Sequence, residues 1–126
     1  MKINAVSITS RDLKKIAEFY ELLGFQFPEI KEDEQHVEAL PIEGSTKLMI
    51  DSKDLIENIL GEDPKPGNHS AFAIEFDTAT EVDEVVNKVK NSGHKVVREP
   101  WNAPWGQRYA IISDPDGYLI DLYAKL

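Results

Sequence analysis

The chain has no cysteine, which excludes disulfides, thiolate nucleophiles and thiolate-bound metals. That composition fits a cytoplasmic address. Long hydrophobic runs are missing as well, and nothing approaches the roughly 20 consecutive apolar residues that cross a bilayer. The opening MKINAVSITSRDL has no apolar run leading to a small-residue cleavage site, so no secretory signal is expected. Basic residues are scarce, 14 Lys and Arg against 23 Asp and Glu, for a formal net charge of −9. Such a chain repels phosphate backbones and anionic lipid, so neither nucleic acid nor a membrane is an expected partner. Acidity first of all keeps a protein soluble, and it also steers cationic ligands. Aromatic residues are only 9% of the 126 positions, so their clustering carries information.

The size suits one domain, with a core large enough to stand alone. Residues 3–9 alternate as a strand, with Ile3, Ala5, Ser7 and Thr9 on one face and Val6 and Ile8 on the other. Ser10 or Asp12 then caps a helix over 12–23, in which Leu13, Ile16, Ala17, Tyr20 and Leu23 recur at helical spacing up to Gly24. A short strand is expected at 25–27, a loop at 29–34, a strand pair at 36–40 and 46–51, and a short helix at 52–60. The stretch 61–68, with its prolines and glycines, reads as a linker. The pattern then restarts. A strand over 69–76 leads to Thr78 and Glu81, a capping-box pair, and to a helix with the apolar stripe Val82, Val85, Val86 and Val89. Gly93 ends that helix. Strands follow at 95–98, 107–113 and 118–123, with a Trp/Pro-rich loop at 99–106 and the turn Asp114-Pro115-Asp116-Gly117 between them.

Both halves therefore read strand–helix–strand–strand–strand. The expected fold class is α+β, with two βαβββ modules (about 1–60 and 69–126) forming curved, half-barrel mixed sheets around a cavity. A half of about 60 residues cannot cover both faces of its own sheet, so the halves must share a core or a cavity.

Two features suggest what such a cavity holds. In the strand over 69–76, Phe72, Ile74 and Phe76 are expected to face the helix, leaving His69, Ala71, Ala73 and Glu75 opposite. Likewise Leu119, Asp121 and Tyr123 oppose Ile120 and Leu122, and Lys47, Met49 and Asp51 oppose Leu48 and Ile50. Faces of small and polar residues are natural walls for a ligand pocket. Both tryptophans, Trp101 and Trp105, fall in one proline-stiffened stretch with Tyr109 close behind. Flat aromatic faces held at low entropic cost suit the stacking of a planar ligand, and equally suit plugging the end of a core.

The markers Ser10-Arg11-Asp12-Leu13, Phe19-Tyr20, Leu23-Gly24-Phe25, Pro104-Trp105-Gly106-Gln107-Arg108 and Asp114-Pro115-Asp116-Gly117 make the whole chain resemble the vicinal oxygen chelate superfamily. That superfamily includes glyoxalase I, extradiol dioxygenases, fosfomycin-modifying enzymes and bleomycin-binding resistance proteins. The stretch from Pro100 to Leu126 is especially similar to its mitomycin-binding resistance proteins. The resemblance implies metal ligands at four positions, which here are Ala5, Met49, His69 and Asp121. Ala5 and Met49 do not chelate a hard divalent ion, so the implied cofactor is none, with a divalent metal on a non-standard ligand set as the alternative. His36 rescues that site only through an unusual geometry. The implied function is that of a homodimeric binding protein for a small organic molecule, a planar aromatic compound such as an antibiotic. In it Trp101, Trp105 and Tyr109 stack on the ligand, and Asp121 or Asp51 receives a cationic or donor group. Met49 and Tyr123 complete the wall with His69, and Arg108 either meets an acceptor on the ligand or pairs with a surface carboxylate. A metal-dependent lyase or dioxygenase is the alternative activity, and a cofactor-free lyase using Asp121 or His69 as base is a third.

Overall fold

The computed structural model describes all residues, 1–126. The chain falls into two compact units, Met1–Lys65 and Pro66–Leu126. No helix is long and apolar enough to cross a membrane.

The first unit comprises β1 (Ala5–Ser10), α1 (Leu13–Leu22), β2 (His36–Glu38), β3 (Lys47–Ser52) and α2 (Lys53–Leu60). Its sheet has the order β1-β3-β2, with β1 parallel and β2 antiparallel to β3. The Asp12 carboxylate caps α1 by accepting from the Lys15 amide at 3.1 Å. Helix α1 buries Leu13, Ile16, Ala17, Phe19 and Tyr20. The sheet contributes Ile8, Val37, Leu48 and Ile50 to the core, each at most 3% exposed. The opposite sheet face carries Ser7, Met49, Asp51, His36 and Glu38, as the alternation requires.

The expected strand at 25–27 does not form. It contributes a single ladder bond, from the Leu40 amide to the Gln26 carbonyl at 2.7 Å. Pro28 and Pro41 bracket this contact, and each removes the amide that the next rung needs. The first sheet therefore has three strands where the repeat leads one to expect four.

The second unit comprises β4 (Ser70–Glu75), α3 (Ala79–Asn91), β5 (Val96–Ala103), β6 (Gln107–Ser113) and β7 (Leu119–Lys125). Its order is β4-β7-β6-β5, with β4 parallel to β7 and the other pairs antiparallel. The Thr78 hydroxyl accepts from the Glu81 amide and donates to its carboxylate, both at 3.2 Å, so the expected capping pair is present. Val82, Val85, Val86 and Val89 are buried, and α3 packs on β5, β6 and β7. Ala110, Ile112, Ile120, Leu122 and Ala124 are wholly buried in the sheet. One Asp114 carboxylate oxygen accepts from the Asp116 and Tyr118 amides, and Gly117 takes φ 94°, which closes the β6–β7 turn.

Two expectations fail in this unit. The Trp/Pro-rich stretch at 99–106 is not a loop for most of its length, because β5 runs on to Ala103. Two register shifts, between Val96 and Arg98 and between Arg98 and Trp101, absorb the irregularity around Pro100 and let the ladder with β6 continue. His69 lies just outside β4, and a register shift between Ser70 and Phe72 turns Ser70 onto the face that the alternation assigns to its neighbours.

Candidate functional site

The second unit's open sheet face follows from its register. Trp101 pairs with Tyr109 and Tyr109 with Tyr123, which makes one row across three strands. Arg98 pairs with Ile111 and Ile111 with Asp121, which makes the adjacent row. Ala110 and Ile112, which alternate with these positions, are buried on the α3 side. The β5–β6 turn at Pro104-Trp105-Gly106 is closed by a bond from the Gly106 amide to the Ala103 carbonyl at 3.0 Å, with Gly106 at φ 87°. That turn brings Trp105 back over the row.

The rings form one connected group. Trp101, Trp105 and Tyr109 meet edge to face, with centroids 6.0, 5.5 and 5.5 Å apart. Tyr109 and Tyr123 stack at 5.9 Å with planes 17° apart. The Trp105 indole donates to the Gln107 side-chain carbonyl at 3.0 Å, yet the residue stays 59% exposed. The cluster is therefore held in place with its outer rings still open to solvent. The Asp121 carboxylate accepts from the Tyr109 hydroxyl at 2.5 Å and from the Ser70 hydroxyl. Burial, with that bond to Asp121, pushes the Tyr109 phenol up to about 12.

Of the sequence-predicted residues, the structure thus brings Trp101, Trp105, Tyr109, Asp121 and Tyr123 together. Arg108 is not among them. It alternates to the other side, where its Nε donates to Asp83 of α3 at 2.9 Å and one terminal nitrogen donates to Asn102 at 3.1 Å. In this structure it pairs with the surface carboxylate. His69 also stands aside, with its Nδ1 3.1 Å from the Ser70 carbonyl and its ring against Gly67, where a Cβ would come within 3.2 Å of Nε2.

Met49 and Asp51 share the open face of the first unit's sheet, where a second group appears. The Ser7 hydroxyl donates to Asp51 at 3.0 Å, and Asp51 meets His36 Nδ1 at 2.6 Å. His36 Nε2 meets Glu38 at 2.9 Å, and Lys47 pairs with Glu38 at 3.0 Å. Hydrogen bonds to Glu38 and then Asp51 raise the His36 pKa above its ordinary 6.5, and His36 in turn lowers that of Glu38. With a carboxylate on each nitrogen, the protonated form of the ring is favoured, since both its N–H groups then have an acceptor. It is a polar clasp between β2 and β3, with both ring nitrogens engaged by carboxylates.

Sequence reasoning weighed His36 only against a metal site and passed over its pairing with Glu38, as well as Ser70 and Arg98. The first pair had a signal, since residues two apart in a strand share a face. Ser70 had none, because its placement depends on the register shift.

The donor set at the four family ligand positions does not fit a chelated divalent ion. Ala5 offers a methyl, Met49 a thioether, His69 a ring whose Nδ1 already bonds backbone, and Asp121 a carboxylate with a donor on each oxygen. No three His, Asp or Glu side chains converge to hold a metal.

Two strand–helix–strand units with small mixed sheets and open faces define the architecture of metal-chelating enzymes and drug-binding proteins alike. The chain belongs to the Glyoxalase/Bleomycin resistance protein/Dioxygenase superfamily, whose family model matches residues 2–122. It is 29% identical over 131 residues to the uncharacterized protein YraH of Bacillus subtilis (strain 168), covering 100% of both chains. The structure of a hypothetical protein from S. aureus is similar at a TM-score of 0.78 and 28% identity, over 94% of this chain and 90% of that one. A glyoxalase/bleomycin resistance protein/dioxygenase family enzyme from Burkholderia phytofirmans PsJN shares the fold at a TM-score of 0.80 and 18% identity, over 100% of both chains.

Proposed function

We propose that this protein is a metal-independent binding protein that sequesters a planar aromatic compound, such as an antibiotic. It would act as a cytoplasmic homodimer, in the manner of the mitomycin-binding resistance proteins that its C-terminal stretch resembles. The observation that carries this reading is the group Trp101, Trp105, Tyr109 and Tyr123 on an open sheet face beside Asp121. A surface ring with two torsions, already pinned by neighbouring rings, loses little entropy when a ligand stacks on it. Asp121 has lone pairs left beyond its two protein donors and accepts from a ligand N–H or O–H.

Both tryptophans of the chain belong to the ring group, so intrinsic emission reports on this face alone. Titration with a panel of mitomycin-like, bleomycin-like and quinone compounds, without added metal, is expected to quench it saturably. A panel that leaves the emission untouched rejects the proposal. So does a stoichiometric transition metal in protein purified without chelators, if stripping that metal abolishes binding.

A further inference from the structure

Two cations lie on the same open face, Lys125 at its edge and Arg98 beside the ring group. Three cations of the second unit face carboxylates: Arg108 pairs with Asp83, Lys90 with Glu99 and Lys125 with Glu75. Arg98 pairs with none, although the chain carries 23 acidic residues. Its guanidinium carbon instead sits 4.0 Å from the centroid of the Trp101 ring. Stacking uses the π face of a guanidinium and leaves its N–H edges in the plane, free to donate. The indole therefore fixes the fork without satisfying it.

The register gives this fork a direction. Arg98, Ile111 and Asp121 form one row across three strands, beside the row of Trp101, Tyr109 and Tyr123. Two strand spacings separate the backbone positions of Arg98 and Asp121, about 10 Å across the sheet. Ile111 lies between them as an apolar floor. The two ends are not equivalent. Asp121 already accepts from Ser70 and Tyr109, whereas the Arg98 fork has no acceptor. An anionic group beside Arg98 stands about one Debye length from Asp121 at physiological salt, so the repulsion is largely screened.

We infer that the ligand held on this face is a planar aromatic acid, whose ring stacks on Trp105 and Tyr109 while its carboxylate is gripped by Arg98 beside Trp101. This deepens the binding proposal above and rests on it. Arg98 then determines specificity. It selects a negative planar group through a bidentate pair, which a lysine matches in charge but not in geometry.

The test is calorimetric titration of the whole protein with three probes that share one ring system: naphthoate, its neutral amide and naphthylmethylammonium. The tryptophan emission is followed in parallel. Naphthoate is expected to bind about tenfold tighter than the amide, as one charge-assisted pair at a partly exposed site allows. The ammonium compound should bind no better than the amide. In Arg98→Gln the preference for naphthoate should fall to about one, and in Arg98→Lys it should be intermediate. Arg98 is exposed, so both variants are expected to fold, which circular dichroism checks. If none of the probes binds or quenches, the underlying binding proposal fails. If all bind, but equally, or with the ammonium compound tightest, or with a ranking that Arg98→Gln leaves unchanged, the aromatic-acid inference alone is overturned.

Discussion

Replacing Tyr109 by Phe removes one oxygen atom and tests how the ring group is anchored. The Tyr109 hydroxyl donates to Asp121 at 2.5 Å, and Asp121 has Ser70 as its other donor. A hydrogen bond to a charged acceptor contributes about 1.5–3 kcal/mol, and this pair is only partly buried, so about 1–2 kcal/mol is expected. For a chain of this size that is roughly a 4–8 °C fall in Tm. The loss should also depend on pH. The folded-state pKa of Tyr109 is raised from 10.0 to about 12, so the stability it contributes is fully present below 10.0 and is lost as pH rises through about 12. Urea unfolding at neutral and strongly alkaline pH measures this, with tyrosinate absorbance counting how many of the four tyrosines ionise late. The wild type should show a late ionisation that Tyr109→Phe removes, and the two proteins should converge in stability at high pH. Equal stability at neutral pH, or an unchanged late ionisation, would refute the assignment of Asp121 as the anchor.

In the first unit, His36→Gln should remove a pH-dependent contribution. The raised pKa of His36 means that its stabilising effect is complete below 6.5 and fades as pH rises through the folded-state value, so the variant should have a flatter stability profile on that side. The lowered pKa of Glu38 acts in the opposite direction, and its contribution is lost as pH falls through the folded-state value, which Glu38→Gln unfolding curves in mild acid should show. Leu122→Ala, at a wholly buried position under α3, should cost about 2–5 kcal/mol by chemical denaturation, and a much smaller loss would mean that the sheet closes over the cavity. Thr78→Ala should cost about 1 kcal/mol through the loss of its bond to the Glu81 amide, and a neutral result would mean that the end of α3 is capped otherwise.

Legibility in the sequence followed the range of the interaction. The stripe Val82, Val85, Val86 and Val89, the caps at Asp12 and Thr78 and the Asp114 turn are local patterns, and each is present where the sequence places it. The failures depend on register. Residues 25–27 have strand composition, yet prolines at 28 and 41 leave them one ladder bond. The 99–106 stretch has loop composition, and the ladder with β6 still carries it to Ala103 by shifting register twice. At the site, the grouping of Trp101, Trp105 and Tyr109 could be read from their proximity in the chain, and Asp121 and Tyr123 from alternation. The Ser70 bond to Asp121 and the stacking of Arg98 on Trp101 depend on register shifts that no spacing rule reveals. Arg108 was ambiguous for the same kind of reason, since only its place in β6 decides which side of the sheet it takes.

The indole N–H resonances of Trp101 and Trp105 test the central claim most directly, because both tryptophans of the chain belong to the ring group. In a nitrogen–proton correlation spectrum, adding a planar aromatic acid to metal-free protein should move both indole signals saturably, with matching shifts along Tyr109, Ile111 and Tyr123. Saturable binding that leaves both indoles still and shifts the residues around His36 and Asp51 instead would place the ligand on the other unit and contradict the account.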